Sequence, residues 1–409
     1  MSWNTVTVSQ LVDEYDGDIQ TGPFGTQLKA SDYSESGTPV INVRNIGYGG
    51  LRPEKIEYVP EAICEKLHRH IIKNRDIVFG RKGAVDRHLL VSNKQDGWMQ
   101  GSDCIRIRFN CKKIDSEFIS YSFLLESHKQ WMLTQCSNKA TMASLNQDVI
   151  LRISLNIPEL EEQKRVSSVL RTYDDLIENN RRRIQLLEES ARLLYKEWFV
   201  QLRFPGHEHV KIIDGVPEGW EKTTAYEVME VLSGGTPKTK VAEYWDGEIP
   251  FFTPKDTTDC AFTFSTEKMI TEEGLSKCNS RLYPKYTLFI TARGTVGKLS
   301  FAQRPMAMNQ SCYALVGKEG INQQFLYCSL KASIDQFKAR AGGAVFDAIV
   351  VDTFKLIPYL KPTPFLIEEF TEVVADIFDQ IDHLSSMNGK LAQARDILLP
   401  RLMSGELAV

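Results

Sequence analysis

The chain has 409 residues, of which 42% are hydrophobic and 25% charged, with a net charge of −4. That length suits two to four globular domains. The composition excludes a disordered chain, and no apolar run approaches the roughly eighteen residues of a membrane-spanning helix.

The opening residues, MSWNTVTVSQ, show no basic start before an apolar core, so no secretory signal is expected. Eight scattered cysteines (64, 104, 111, 136, 260, 278, 312 and 328) include no Cys-x-x-Cys pair. That pattern fits reduced thiols in a cytosol and argues against a zinc site. The negative sum offers no overall attraction to a polyanion, so a nucleic-acid reader would have to gather its cations locally. Residues 66–113 do so, with twelve Lys or Arg against four Asp or Glu. Residues 222–304 are nearly balanced, and residues 367–409 are acidic.

Residues 1–156 read as a strand-rich globular unit. Short β-prone runs, Pro39–Val43, Ile77–Phe79 and Cys104–Phe109, lie between Gly, Asn and Asp turns. In the last run Ile105, Ile107 and Phe109 alternate with Arg106 and Arg108, which predicts one buried face and one cationic face. A helix is expected from Ser116 to about Cys136. Pro158 then ends a strand and starts a long helix, Glu159–Gln201. Its seam runs Val166, Leu170, Tyr173, Ile177, Asn180, Ile184, Leu187, Ala191, Leu194, Trp198, in steps of four and three. A heptad seam needs a second helix to cover it. The Pro/Gly stretch from Arg203 to Trp220 reads as a linker.

The second helix comes from the C-terminal part of the chain, where Val374, Ile377, Ile381, Leu384, Asn388, Leu391, Leu398 and Leu402 repeat the pattern. A shift of 207 residues lays Leu170 on Ile377, Ile177 on Leu384 and Ile184 on Leu391. The same shift lays Phe118–Phe123 on Phe325–Leu330, and Arg75–Gly83 parallels Tyr286–Gly294 at a slightly different offset. A globular domain followed by a long helix therefore occurs twice.

Neither an Asn/Asp-Pro-Pro-aromatic methyltransferase loop nor a phosphate-binding Gly-rich loop is present. Gly294-x-x-Gly297-Lys298 lacks a Gly at Ala292 and a Ser/Thr at Leu299, so it reads as a structural turn. Glu162-x-Lys164 has no paired strand Asp and reads as a solvated helix face. His68 and His70 read as surface residues. No catalytic or metal-binding residue is assigned.

The order of several segments resembles the specificity subunit of type I restriction–modification systems. These are Ile157–Gln163 and Leu193–Phe199 at the ends of the first helix, then Glu218-Gly219-Trp220, Ser233-Gly234-Gly235-Thr236-Pro237 and Gly247–Phe252. Asn309-Gln310 and Leu398–Leu407 complete the set. The first domain departs from the pattern, with Thr21-Gly22-Pro23-Phe24-Gly25 for the Gly-Gly form and Ser102-Asp103 near the place of Asn309-Gln310. The second helix opens Pro364–Phe370, without the Pro-x-x-x-Glu-Gln form.

The resemblance implies an α+β chain with a pseudo-two-fold internal repeat. Two similar α/β target recognition domains (1–156 and 204–362) would be joined by two long antiparallel coiled-coil helices (157–203 and 363–409). Each domain would read half of a bipartite, asymmetric site on double-stranded DNA. The helices would set the half-site distance and dock two modification (methyltransferase) subunits, which restriction (endonuclease/translocase) subunits would join. The chain itself would be non-catalytic and bind no cofactor; S-adenosylmethionine, ATP and Mg would belong to the partners, in a prokaryotic cytoplasm.

Candidate DNA contacts are Arg44, Asn45, Arg81, Lys82, Arg106 and Arg108 in the first domain. In the second they are Thr253, Lys255, Asp256, Arg293, Lys298 and Gln310. Arg and Lys suit phosphates and guanine edges, and Asn and Gln suit adenine edges. Candidate spacer-helix packing residues are Leu170, Ile177, Ile184, Leu187, Leu194, Ile377, Ile381, Leu384, Leu391 and Leu398. The alternative is a coiled-coil interaction scaffold with no DNA role.

Overall fold

The computed structural model describes residues 3–110, 112–136, 144–258, 260–341 and 348–409; Cys111 lies outside them. The chain forms two compact units. One comprises Met1–Asp175 with Ala392–Val409, and the other Leu176–Leu391.

In the first unit a five-stranded sheet runs in the order Asp18–Thr21, Cys104–Arg108, Ile77–Gly80, His88–Leu90, Tyr48–Gly49. A three-stranded sheet runs Glu57–Val59, Thr38–Ile41, Met99–Gln100, and Asn4–Thr7 pairs antiparallel with Ser154–Ile157. Thr7 opens the helix Val8–Glu14 with a capping box, its N–H donating to Gln10 Oε1 at 2.8 Å. The expected helix 116–136 is two helices, Ser116–Phe123 and Glu126–Cys136. The first sinks Phe118, Ile119 and Phe123 into a core with Ile77, Phe79, Ile105 and Ile107. The break at Leu124-Leu125 lets the chain turn once that face is covered.

The second unit repeats this plan strand for strand. Its five-stranded sheet is Met229–Ser233, Cys312–Gly317, Leu288–Thr291, Leu299–Ala302, Phe262–Thr263. Its three-stranded sheet is Lys268–Ile270, Trp245–Phe252, Ala307–Met308, and Glu221–Thr224 pairs with Pro358–Lys361. Phe325, Leu326, Leu330 and Phe337 of the helix Gln323–Ala341 fill the place of Phe118 and its neighbours. The stretch expected to be a plain linker holds a hairpin, Ile212–Ile213 against Val216–Pro217. Asp214 and Gly215 take positive φ at its tip, as a tight two-residue hairpin turn requires.

Leu160–Tyr195 is one α-helix, continued by a π-helical turn, Lys196–Val200, and Pro364–Met403 is another. Each contributes one stretch to either unit. Within the first unit Arg395 Nη1 donates to Asp174 Oδ1 at 2.5 Å, and Val166 and Leu170 share a core with Leu399, Leu402 and Met403. Within the second, Asn180 Nδ2 donates to Asn388 Oδ1 at 3.0 Å, while Phe199 and Phe370 meet edge-to-face at 5.1 Å. In both units the paired stretches run antiparallel. Of the seam residues, Leu170, Ile177, Ile184, Ile381 and Leu384 are buried. Leu187, Leu194, Ile377, Leu391 and Leu398 are half-buried.

Candidate nucleic-acid interface

Identical strand registers allow the loops of the two units to be matched residue by residue. Val40 pairs with Glu57 and Met99; Phe251 pairs with Lys268 and Ala307. The turn after each strand follows in step, so Asn42, Val43, Arg44 and Asn45 correspond to Thr253, Pro254, Lys255 and Asp256. Both turns are short 3-10 helices closed the same way. Asn42 N donates to Asn45 Oδ1 at 3.0 Å, and Thr253 N donates to Asp256 Oδ2 at 2.7 Å.

A second loop follows the central strand of the larger sheet. Arg81 N donates to the Asp103 carbonyl and Ala292 N to the Ser311 carbonyl, each at 2.8 Å. Arg81 therefore corresponds to Ala292, Lys82 to Arg293, and Gly83 to Gly294. Those glycines sit at φ 75° and 80°, where a side chain would strain the turn. A third loop, Gly101–Asp103, corresponds to Asn309–Ser311: Gly101 N reaches Ile41 O at 2.9 Å and Asn309 N reaches Phe252 O at 3.0 Å. The fourth begins at Gly22 and Gly234. A Cβ on either would overlap the carbonyl of Gly101 or Asn309, so the backbones can approach only as glycine. The first domain, which lacks the Gly-Gly form in sequence, thus keeps the one glycine that the close approach needs.

Each unit brings four loops together, and the sequence candidates divide between two roles there. Arg44, Lys82, Lys255, Arg293, Lys298 and Gln310 are exposed, and Arg81 and Thr253 are half-buried. Arg44 is ion-paired with Glu57, Lys82 Nζ lies 3.0 Å from Asp103 Oδ1, and Gln310 accepts a hydrogen bond from Thr236 Oγ1.

The remaining four support the fold instead. Asn45 is 0% exposed, its amide donating to the Arg52 and Glu54 carbonyls at 3.2 and 2.7 Å. Asp256 is 9% exposed and accepts from Thr253 Oγ1 and the Glu267 N–H, both at 2.7 Å. The expectation that these turns present a base reader beside each cation is corrected, because their side chains face inward as caps.

The cationic face of strand Cys104–Arg108 is corrected too. Arg106 is 1% exposed and ion-paired with Asp18. Arg108 Nε and Nη2 each donate to Asp76 at 2.7 Å, and those hydrogen bonds raise its guanidinium above the ordinary arginine pKa. The three-stranded sheet and its flanking turns cover the face that alternation alone assigned to solvent. His70, expected at the surface, is 8% exposed, and burial together with nearby Arg106 lowers its pKa.

Sequence reasoning missed Glu57, Asp103 as an acid partner, and Lys268. All three are neighbours only through strand register or loop contact. Phe24, in the segment Thr21–Gly25, is a further exposed side chain that the sequence candidates did not include. It is 63% exposed, and its loop is pinned by Leu28 N donating to Phe24 O at 3.1 Å. No helix among the described residues is long and apolar enough to cross a membrane.

Comparison with known proteins agrees with this doubled architecture. The family described as "Type I restriction modification DNA specificity domain" matches residues 17–189 and 217–394. The Type I restriction enzyme HindI specificity subunit of Haemophilus influenzae is 25% identical over 403 residues, covering 82% of this chain and 87% of that protein. The Type I restriction enzyme MjaIX specificity subunit of Methanocaldococcus jannaschii is 29% identical over 180 residues, 43% of this chain and 42% of that protein. Among solved structures, the type I restriction–modification S subunit from M. genitalium shares the fold. Its TM-score is 0.58 at 16% identity, with 98% of this chain and 96% of that one covered. With both halves matched, the chain belongs to the type I restriction–modification DNA specificity family, carrying two copies of its domain.

Proposed function

We propose that this chain is the DNA-reading subunit of a type I restriction–modification complex and performs no chemistry of its own. Each unit reads one half of a bipartite, asymmetric site on double-stranded DNA. The long helices fix the half-site spacing and dock two modification subunits, which restriction subunits join. S-adenosylmethionine, ATP and Mg are held by those partners.

The observation that carries this reading is the four-loop cluster built twice at one register, with exposed cations at matching positions, in a chain of this family. Arg44, Arg81, Lys82, Lys255, Arg293 and Lys298 would meet phosphates or guanine edges. Gln310 and Thr253 would approach bases from loops of the same cluster. Asn45, Arg106, Arg108 and Asp256 act indirectly, by holding those loops in place.

The test is methylation mapping. The chain mixed with its modification subunits and S-adenosylmethionine should methylate one bipartite sequence, while the chain alone should neither methylate nor cut. Binding to DNA should weaken steeply with salt, since phosphate contacts release counterions. Methylation by the lone chain, or DNA binding indifferent to salt, would overturn the reading.

A further inference from the structure

The two units build the same loop cluster from different charges. In the first, two of the three loop cations, Arg44 and Lys82, are matched by carboxylates. Arg44 is ion-paired with Glu57, whose Oε2 also accepts from Asn42 Nδ2 at 2.7 Å, and Lys82 faces Asp103. In the second, the register puts Lys268 where Glu57 stands, and the loop match puts Ser311 where Asp103 stands. Among the described residues no carboxylate pairs with Lys255 or Arg293. The acid that the second unit adds, Asp256, is buried and occupied by its hydrogen bonds to Thr253 and to the Glu267 N–H.

These arrangements suit different contacts. A cation already held by a carboxylate gains little from a phosphate, because the pair must break or bring its acid toward the DNA backbone. A guanidinium steadied by a neighbouring carboxylate, however, still has donors to offer guanine O6 and N7 together. The adjoining carboxylate can accept from the paired cytosine N4. Unpaired lysine and arginine at loop tips are suited to phosphate oxygens, where charge matters more than plane.

We propose that the two units divide the work. The second supplies most of the salt-sensitive grip on phosphates through Lys255 and Arg293. The first supplies discrimination, with Arg44 reading a guanine and Glu57 acting as its positioning residue. The division rests on the DNA-reading assignment made above.

The test uses the full chain assembled with its modification subunits. A random-sequence duplex gives the slope of log K against log salt, and sequencing of methylated DNA gives the strictness of each site position. The Lys255→Ala/Arg293→Ala double variant should flatten the slope by about 2, at about 0.9 for each phosphate no longer neutralised. The Arg44→Ala/Lys82→Ala double variant should flatten it by less than half as much. Arg44→Ala alone should relax one guanine position, in one half-site only, by about tenfold or more. Arg44→Lys should keep the slope and lose the guanine preference. Glu57→Gln should relax that same position while steepening the slope, an opposite pair of effects that simple loss of folding does not produce. Equal slope losses from the two double variants, or full strictness after Arg44→Ala, would overturn the division of labour. Methylation without any sequence preference by the unaltered complex would instead overturn the underlying assignment.

Discussion

Asn180 is the polar member of an otherwise apolar seam, 4% exposed, and its amide meets Asn388 on the facing helix stretch at 3.0 Å. A polar pair in a heptad seam selects one register at a cost in stability, because a slip leaves the buried Asn180 amide unpaired against hydrocarbon. Asn180→Ala should lower stability by about 1 kcal/mol, the net worth of the lost hydrogen bond to half-buried Asn388. Replacing both with Leu should raise the melting temperature while loosening register, seen as broadened interhelical distances between spin labels on the two helices.

His88 gives a pH signature. It is wholly buried beside Phe79 and Phe123, its Nε2 2.8 Å from Ser120 Oγ, and burial, with Lys129 adding to it, lowers its pKa from 6.5 to about 3. Between those two values the unfolded imidazole takes up a proton that the folded one refuses. Its contribution therefore favours the folded state less as pH falls through that window, by up to about 1.4 kcal/mol per pH unit. His88→Gln removes the titration, so urea midpoints between pH 7.5 and 5 should fall less steeply for the variant than for the parent.

At the scale of elements, periodicity decided most of what was legible. The seam residues announced the long helices because a three-four spacing has few other uses over ten members. The strands containing Ile41 and Phe79 were visible for a different reason, as β-prone runs between turn residues. Alternation misled at Arg106, since a strand covered on both faces by polar and ionic contacts looks in sequence like one with a wet side. Asn45 and Asp256 were misassigned because a short polar side chain after a strand can cap a turn as readily as it can face a ligand. The acid partners Glu57 and Asp103 were invisible because strand pairing and loop convergence are set by tertiary structure.

Ile184, 5% exposed within the second unit's core, tests the helix packing directly. Ile184→Asp should cost several kcal/mol, as an unpaired carboxylate in an apolar seam does. Co-purification with the modification subunits should be lost along with the cooperative melt. Intact assembly by that variant would show that Ile184 does not belong to the seam.

For the whole molecule, the repeat makes the readers separable in principle. Exchanging residues 1–156 for the matching domain of another specificity subunit should change one half of the methylated sequence and leave the other half as it was. Altered bases in both halves would contradict independent reading.

The repeat also crosses over itself. Leu399, Leu402 and Met403 are buried in the first unit's core, and Gly405 lies against the Trp3 indole. During synthesis the first half of the polypeptide therefore leaves the ribosome with its core open on one side, and that side is sealed only once residues 392–409 have been translated. Protection from chaperones and proteases arrives late for the part made first, and a nonsense codon just before residue 392 would harm most the domain farthest from it in the gene.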